Sequence, residues 1–283
     1  MPCSGLFALA VPFVRLRSLA LLPLLLAFPL SRLLSQEHDD DDHDHDHGHL
    51  HFSHPIVTES PSPDTKIRLD YIASRVTAPA DLRENVVRLE GEYAFNHSVS
   101  LAVVAPFVWR TAPAAERASG LGSVEVSVKA ASLVLGERGI LFGGGISAGL
   151  PTGDDSKAIG SGHIVEVEPF LDAGYKREAL ELVGFVTLAS TFRQRADEEA
   201  ERNLGFNFST LYRLHSRVEA LFEVVTERAL RGSESGTQQT FVAPGLKAYP
   251  FHNRSLMFGA SLELGTGIVD DTRALILSGF YHF

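Results

Sequence analysis

The sequence predicts an all-β fold, a transmembrane antiparallel β-barrel of about 12 strands over residues 65–283, and three observations predict it. Apolar residues recur with period two in twelve successive segments, and the connections between segments alternate between short and long. From Thr65 onward no uncharged run approaches the length of a membrane-spanning helix. A strand sends successive side chains to opposite faces, so period two gives each segment one oily face and one polar face. Short turns at one rim, longer loops at the other and an even number of strands are the marks of an outer-membrane barrel.

Two segments precede the barrel. Residues 1–36 read as a signal peptide: Arg15 and Arg17 precede the apolar run LALLPLLLAFPL from Leu19 to Leu30, and Ser35 is a small residue at a cleavage position. That run, interrupted by Pro23 and Pro29, falls short of the roughly 20 residues a helix needs to cross the hydrocarbon. Residues 37–64 read as a disordered His/Asp-rich tail and a Pro/Ser linker. The tract EHDDDDHDHDHGHLHFSH carries His38, His43, His45, His47, His49, His51 and His54 among its carboxylates. It has too little apolar surface to offset chain entropy. Imidazoles at His-x-His spacing with interleaved carboxylates are donors suited to zinc, copper(II) or nickel, so these histidines are candidate metal ligands. The alternative is a solvated acidic spacer. Pro55 and then Pro61-Ser62-Pro63 close the tail.

The expected strands fall at about 65–75, 84–96, 97–110, 122–136, 139–151, 163–176, 179–193, 202–213, 216–228, 239–250, 254–266 and 274–283. In the first, Ile67, Leu69 and Tyr71 oppose Arg68 and Asp70; in the second, Leu89, Tyr93 and Phe95 oppose Arg88, Glu90 and Glu92. Residues 164–176 set Val165, Val167, Leu171 and Tyr175 against Glu166, Glu168 and Asp172. Leu204, Phe206, Phe208 and Tyr212 then oppose Asn203, Asn207, Ser209 and Arg213, and Val218, Ala220, Phe222 and Val224 oppose Glu219 and Glu223. Leu256, Phe258, Ala260, Leu262 and Leu264 oppose Ser261 and Glu263, and the chain ends with Leu275, Leu277, Tyr281 and Phe283 on one side. Tight turns fall at Asn96-His97, Glu137-Arg138, Arg177-Glu178, His215 and His252-Asn253, and the other connections are longer. Even parity puts both barrel ends at the short-turn, periplasmic rim.

The polar faces then line a lumen. Its expected members are Arg68, Asp70, Arg88, Glu90, Glu92, Glu125, Lys129, Glu166, Glu168, Asp172, Glu181, Arg213, Glu219, Glu223, Lys247 and Glu263, with acids in surplus. In a hydrated lumen such groups tune selectivity, here towards cations. The competing account is a narrow barrel plugged by its own paired side chains. A soluble β-sandwich or a periplasmic lipid-binding barrel also alternates, but would fold its oily faces inward.

Composition excludes several classes. The single cysteine, Cys3, lies in the signal segment, so the processed chain has no disulfide. Of the net charge of −10, residues 1–36 hold +3, 37–46 hold −7 and the remainder −6. No block offers the basic surplus that nucleic acid requires. Gly145-Ile-Ser147-Ala-Gly149 matches Gly-x-Ser-x-Gly, yet it lies inside an alternating segment with no helix following, so no enzyme is expected.

Gly120-Leu-Gly-Ser-Val-Glu-Val-Ser-Val-Lys129, Gly145-Ile-Ser-Ala-Gly-Leu-Pro-Thr-Gly-Asp-Asp-Ser156 and Gly160-Ser-Gly162 resemble the outer-membrane transporter-like family labelled for a meta-pathway of phenol degradation. The resemblance spans most of 65–283. It implies a barrel in the outer membrane of a Gram-negative bacterium that passes small molecules, aromatic or hydrophobic ones among them. The aromatic last strand, ending Phe280-Tyr281-His282-Phe283, resembles the signal read by the outer-membrane assembly machinery. The expected partners are therefore that machinery, the lipid bilayer and a small-molecule or ion solute. The His/Asp tail departs from the family pattern and brings in the second reading, a metal-capturing outer-membrane protein with the barrel as anchor.

Overall fold

In a computed structural model, residues 50–77, 81–111, 117–193, 200–251, 254–269 and 271–283 are described. They form one antiparallel sheet of thirteen strands: β1 (Lys66–Val76), β2 (Leu82–Asn96), β3 (Val99–Thr111), β4 (Ala118–Leu121), β5 (Glu125–Leu135), β6 (Ile140–Gly149), β7 (Ile164–Arg177), β8 (Leu180–Arg193), β9 (Arg202–His215), β10 (Val218–Arg231), β11 (Gln238–Ala248), β12 (Leu256–Thr266) and β13 (Thr272–His282). The sheet closes on itself. β1 pairs with β2 on one side, Leu69 opposite Leu89, and with β13 on the other, Ile67 opposite Tyr281.

The wall has twelve positions, because β4 and β5 both pair with β3. Sequence periodicity predicts one strand over 122–136, and the expected loop 111–121 instead contains β4. Pro106 of β3 supplies the physical reason for the interruption. Its carbonyl accepts from Gly122 N at 2.9 Å, but proline has no N–H to return across the same gap, so the ladder stops before Val124 and resumes at Glu125.

The oily side chains face outward. Ile67, Leu69, Tyr71, Leu89, Phe206, Phe208, Leu275 and Leu277 are all exposed, and Leu171 reaches 70% exposure. In water so many large apolar side chains would each forfeit about 1.5–3 kcal/mol of burial; against lipid they do not. An 11-residue strand such as β1 extends about 36 Å at about 3.3 Å per residue, and at a tilt of about 45° it covers the roughly 25 Å apolar band of such barrels. Tyr93–Phe95 and Tyr281–Phe283 stack edge to face at the rim where β2 and β13 end, the place of an interfacial aromatic girdle. A sandwich with a dry interior is thereby excluded.

The rim with short connections carries the turns β2–β3, β5–β6, β7–β8 and β9–β10, together with the start of β1 and the end of β13. Gly139, at φ +63°, closes the β5–β6 turn, and a Cβ there would stand 1.9 Å from the Lys176 carbonyl oxygen. Residues 1–36, expected as signal peptide, and 37–49 of the tail lie outside the described residues.

Candidate functional site: the lumen and the segment inside it

Residues 50–64, expected as the end of a disordered tail and linker, lie inside the barrel. Phe52, His54, Ile56, Thr58, Ser60 and Ser62 are all buried. The segment folds back on itself: Phe52 N donates to Ser62 Oγ at 3.0 Å, and Ser60 Oγ donates to the Phe52 carbonyl at 3.2 Å. Buried backbone must find partners, and lumen side chains provide them. The N–H groups of Ile56, Val57 and Thr58 all donate to the Glu223 carboxylate, at 2.9, 2.9 and 2.8 Å. Ser53 N donates to Glu181 at 2.7 Å.

Bases treat the carbonyls in the same way. Lys129 Nζ donates to Ser60 O at 2.9 Å, Lys247 Nζ to His54 O at 3.0 Å, and Arg68 to Ile56 O. Two wall glycines make room for the segment's apolar side chains. A Cβ on Gly174 of β7 would meet the Phe52 ring at 2.5 Å, and one on Gly259 of β12 would meet Ile56 Cδ1 at 2.7 Å.

The predicted lumen residues are all accounted for. Arg68, Asp70, Glu90, Glu92, Glu125, Lys129, Glu168, Asp172, Glu181, Glu219, Glu223 and Lys247 are buried inside the wall; Arg88, Glu166, Arg213 and Glu263 are half-buried. Many are joined in ion pairs. Asp70 takes Arg68 Nε at 2.9 Å, Arg88 Nε at 2.7 Å and Ser278 Oγ at 2.6 Å. Lys66 meets Glu90 at 3.0 Å and Glu92 at 2.9 Å, and Lys247 meets Glu219 at 3.0 Å. Both carboxylate oxygens of Asp172 are buried without a hydrogen bond among the described residues.

Beyond the segment, towards the long loops, the described residues enclose two cavities. One cavity of about 230 Å³ has Ile56, Val57, Thr58 and Glu59 as its floor, and a second of about 390 Å³ continues to the loop rim. The first is lined by Glu59, Glu90, Glu92, Glu125, Glu166, Glu168, Glu227 and Glu263 against Arg88 and Lys129. The second adds Glu84, Asp155, Glu201 and Glu234 against Arg110 and Arg231. On the loop β6–β7, Asp154 is held down at about 2 by hydrogen bonds from Lys157 and Ser156.

Of the seven candidate metal ligands, His51 and His54 are described; His38, His43, His45, His47 and His49 lie outside the described residues. His51 and His54 come together with Asp64, their ligand atoms within 4.8 Å of one another. His54 Nε2 lies 2.9 Å from Asp64 Oδ2, His51 Nε2 3.3 Å and His282 Nδ1 2.6 Å. Burial opposes ionisation of Asp64, but hydrogen bonds from His282, His51 and His54 outweigh it and hold the carboxyl well below the usual carboxylate range. Burial, with Lys66 beside it, pushes His54 well below its ordinary value. Its ring is therefore neutral: Nε2–H donates to Asp64, and Nδ1 accepts from Lys66 Nζ at 3.1 Å.

Ser147, the centre of the Gly-x-Ser-x-Gly match, sits within β6 opposite Glu168 and Ser127, so no nucleophile elbow exists there.

The architecture has counterparts among solved structures. An outer-membrane channel from Pseudomonas putida F1 is 12% identical and superposes with a TM-score of 0.64, over 83% of this chain and 98% of that one. The NanC porin is 9% identical with a TM-score of 0.52, over 76% of this chain and 100% of that one. The translocator domain of the autotransporter NalP from Neisseria meningitidis is 10% identical with a TM-score of 0.50, over 78% and 88%. At such identities the likeness establishes the fold. No family model matches the chain, and no curated protein sequence matches it. A closed twelve-position wall, an oily exterior and a charged interior define a β-barrel fold of the outer-membrane type.

Proposed function

We propose that the chain is an outer-membrane channel for small solutes that favours cations, with residues 50–64 as the constriction on the periplasmic side. The acidic lining of the two outer cavities carries this reading. Carboxylates facing one another across a low-dielectric wall focus a negative potential and raise the local cation concentration. The apolar side chains within the same cavity, Phe170, Phe185, Phe241 and Ile72, give a path compatible with the aromatic or hydrophobic solutes that the family resemblance implies. Reversal potentials in planar bilayers under a KCl gradient test the reading. The intact protein is expected to be cation-selective, and Glu166→Lys combined with Glu227→Lys is expected to move the reversal potential towards that of chloride. An anion-selective wild type would contradict the assignment.

A second reading is favoured by the meeting of His51, His54 and Asp64: capture of a zinc, copper or nickel ion by the His/Asp tail, with the barrel as anchor. Calorimetric zinc titration of the chain with and without residues 37–49 tests it, because that deletion spares His51 and His54. Loss of binding on deletion supports tail capture, and equal affinities remove the tail from the chemistry.

A further inference from the structure

One carboxylate oxygen, Asp64 Oδ2, is the convergence point of three imidazole nitrogens, at 2.6, 2.9 and 3.3 Å. Those three rings come from two parts of the fold: His51 and His54 from the segment in the lumen, and His282 from the end of β13. Asp64 itself sits where the segment turns into β1. An oxygen carries two lone pairs, so three donors crowd it. Metal–nitrogen and metal–oxygen bonds of about 2.0–2.2 Å give a tetrahedral edge of roughly 3.3–3.5 Å. The contacts to Asp64 Oδ2 are hydrogen-bond lengths at or just below that edge; the ligand atoms of His51, His54 and Asp64 lie within 4.8 Å of one another, and His282 joins them through Asp64.

We infer that His51, His54, Asp64 and His282 form a three-nitrogen, one-oxygen site for a zinc-class divalent ion, and that the bound ion latches the lumen segment to the last strand. The function assigned to the ion goes beyond capture by a flexible tail, because one ligand belongs to the barrel wall. A cation bonded at once to His51, His54 and His282 cross-links the segment to β13 and opposes its withdrawal. On binding, the proton that His54 donates from Nε2 to Asp64 leaves that nitrogen and its ring carries hydrogen at Nδ1. Lys66 then gives up its bond to Nδ1 and keeps Glu90 and Glu92 at 3.0 and 2.9 Å. Donor type favours zinc, copper(II) or nickel over calcium or magnesium, which prefer all-oxygen shells.

The test uses the chain from residue 37 onward, folded in detergent, with His38, His43, His45, His47 and His49 all changed to Asn so that the remaining tail imidazoles do not compete. Calorimetric titration with zinc chloride is expected to give one equivalent bound, and His282→Asn is expected to weaken it by roughly ten-fold or more, since loss of even a partner behind a ligand costs that much. Asp64→Asn should do the same. Heat-modifiable gel migration checks that each variant is a folded barrel, and His51→Asn replaces any variant that is not. Absence of stoichiometric binding, or an affinity indifferent to His282→Asn, overturns the site. The latch rests on the channel reading and has its own arm: zinc on the short-turn side should lower the mean current in planar bilayers, chelator should restore it, and His282→Asn should abolish the response. Equal inhibition in the His282→Asn variant overturns the latch. A protein that binds zinc through His282 yet never conducts keeps the site and defeats the channel reading instead.

Discussion

The two halves of the lumen are built from the same strands and the same alternation, yet they are filled differently. In the half next to the short turns, charges from β1, β8, β10 and β11 are directed at the main chain of residues 50–64: Glu223 at three N–H groups, Glu181 at Ser53 N, Lys247 and Arg68 at carbonyls. In the half towards the long loops, acids outnumber bases around cavities of about 230 and 390 Å³. A polar barrel wall therefore serves two ends. Where a segment of the chain enters, the wall acts as a set of backbone partners; where none enters, it lines cavities with a surplus of acids.

Deleting residues 37–62 removes the filler and should convert the first half into a copy of the second. Single-channel conductance is expected to rise on the order of ten-fold, since a twelve-position wall then encloses only its own side chains, with heat-modifiable migration retained. An unchanged conductance would mean the constriction lies elsewhere.

Glu223→Ala breaks the same contrast more locally. Three N–H groups, two of them buried, lose their acceptor, and hydrogen bonds to a charged group are each worth about 1.5–3 kcal/mol. Amide exchange at Ile56, Val57 and Thr58 is expected to accelerate roughly 100-fold, equivalent to about 3 kcal/mol, while amides in β2 and β3 keep their protection.

Acidification should act in the same direction with a smaller effect. His54 is buried beside Lys66, Asp64 and His282, and its folded-state value is pushed down by burial. Once the segment withdraws, the ring regains an ordinary value near about 6.5. The withdrawn state thus binds the extra proton, and docking weakens as pH falls below about 6.5, by up to about 1.4 kcal/mol per pH unit. Conductance is expected to rise a few-fold from pH 7 to pH 5, and His54→Gln should flatten that dependence. A rise on alkalinisation would contradict the sign.

The wall was legible in the sequence because alternation is a local property. Leu204, Phe206 and Phe208 face lipid because they stand two residues apart, and no distant information is needed to say so. The β4/β5 break was not legible, since its cause, Pro106, lies in the neighbouring strand and matters only once the two are paired. The lumen charges were readable as a set, but their purpose was not: Glu223 meets Ile56 across 167 residues of sequence. Residues 50–64 read as the end of a disordered tail and linker because polar composition alone does not distinguish water from a polar wall. One signal was present. Phe52, His54, Ile56, Thr58, Ser60 and Ser62 share the even positions, and all of them are buried. His282 gave no sign at all, because its relation to Asp64 exists only after the barrel closes.

The hydroxyls of Thr58 and Ser209 are hydrogen-bonded at the centre of the docked segment, and the chain's single cysteine, Cys3, is far from both in sequence. Thr58→Cys with Ser209→Cys, oxidised in outer membranes and read by gel mobility with and without reductant, asks directly whether residues 50–64 occupy the lumen. Occupancy predicts a disulfide that forms in the folded barrel and holds the channel at low conductance until it is reduced. Two free thiols that both react with a water-soluble maleimide and never cross-link would contradict it.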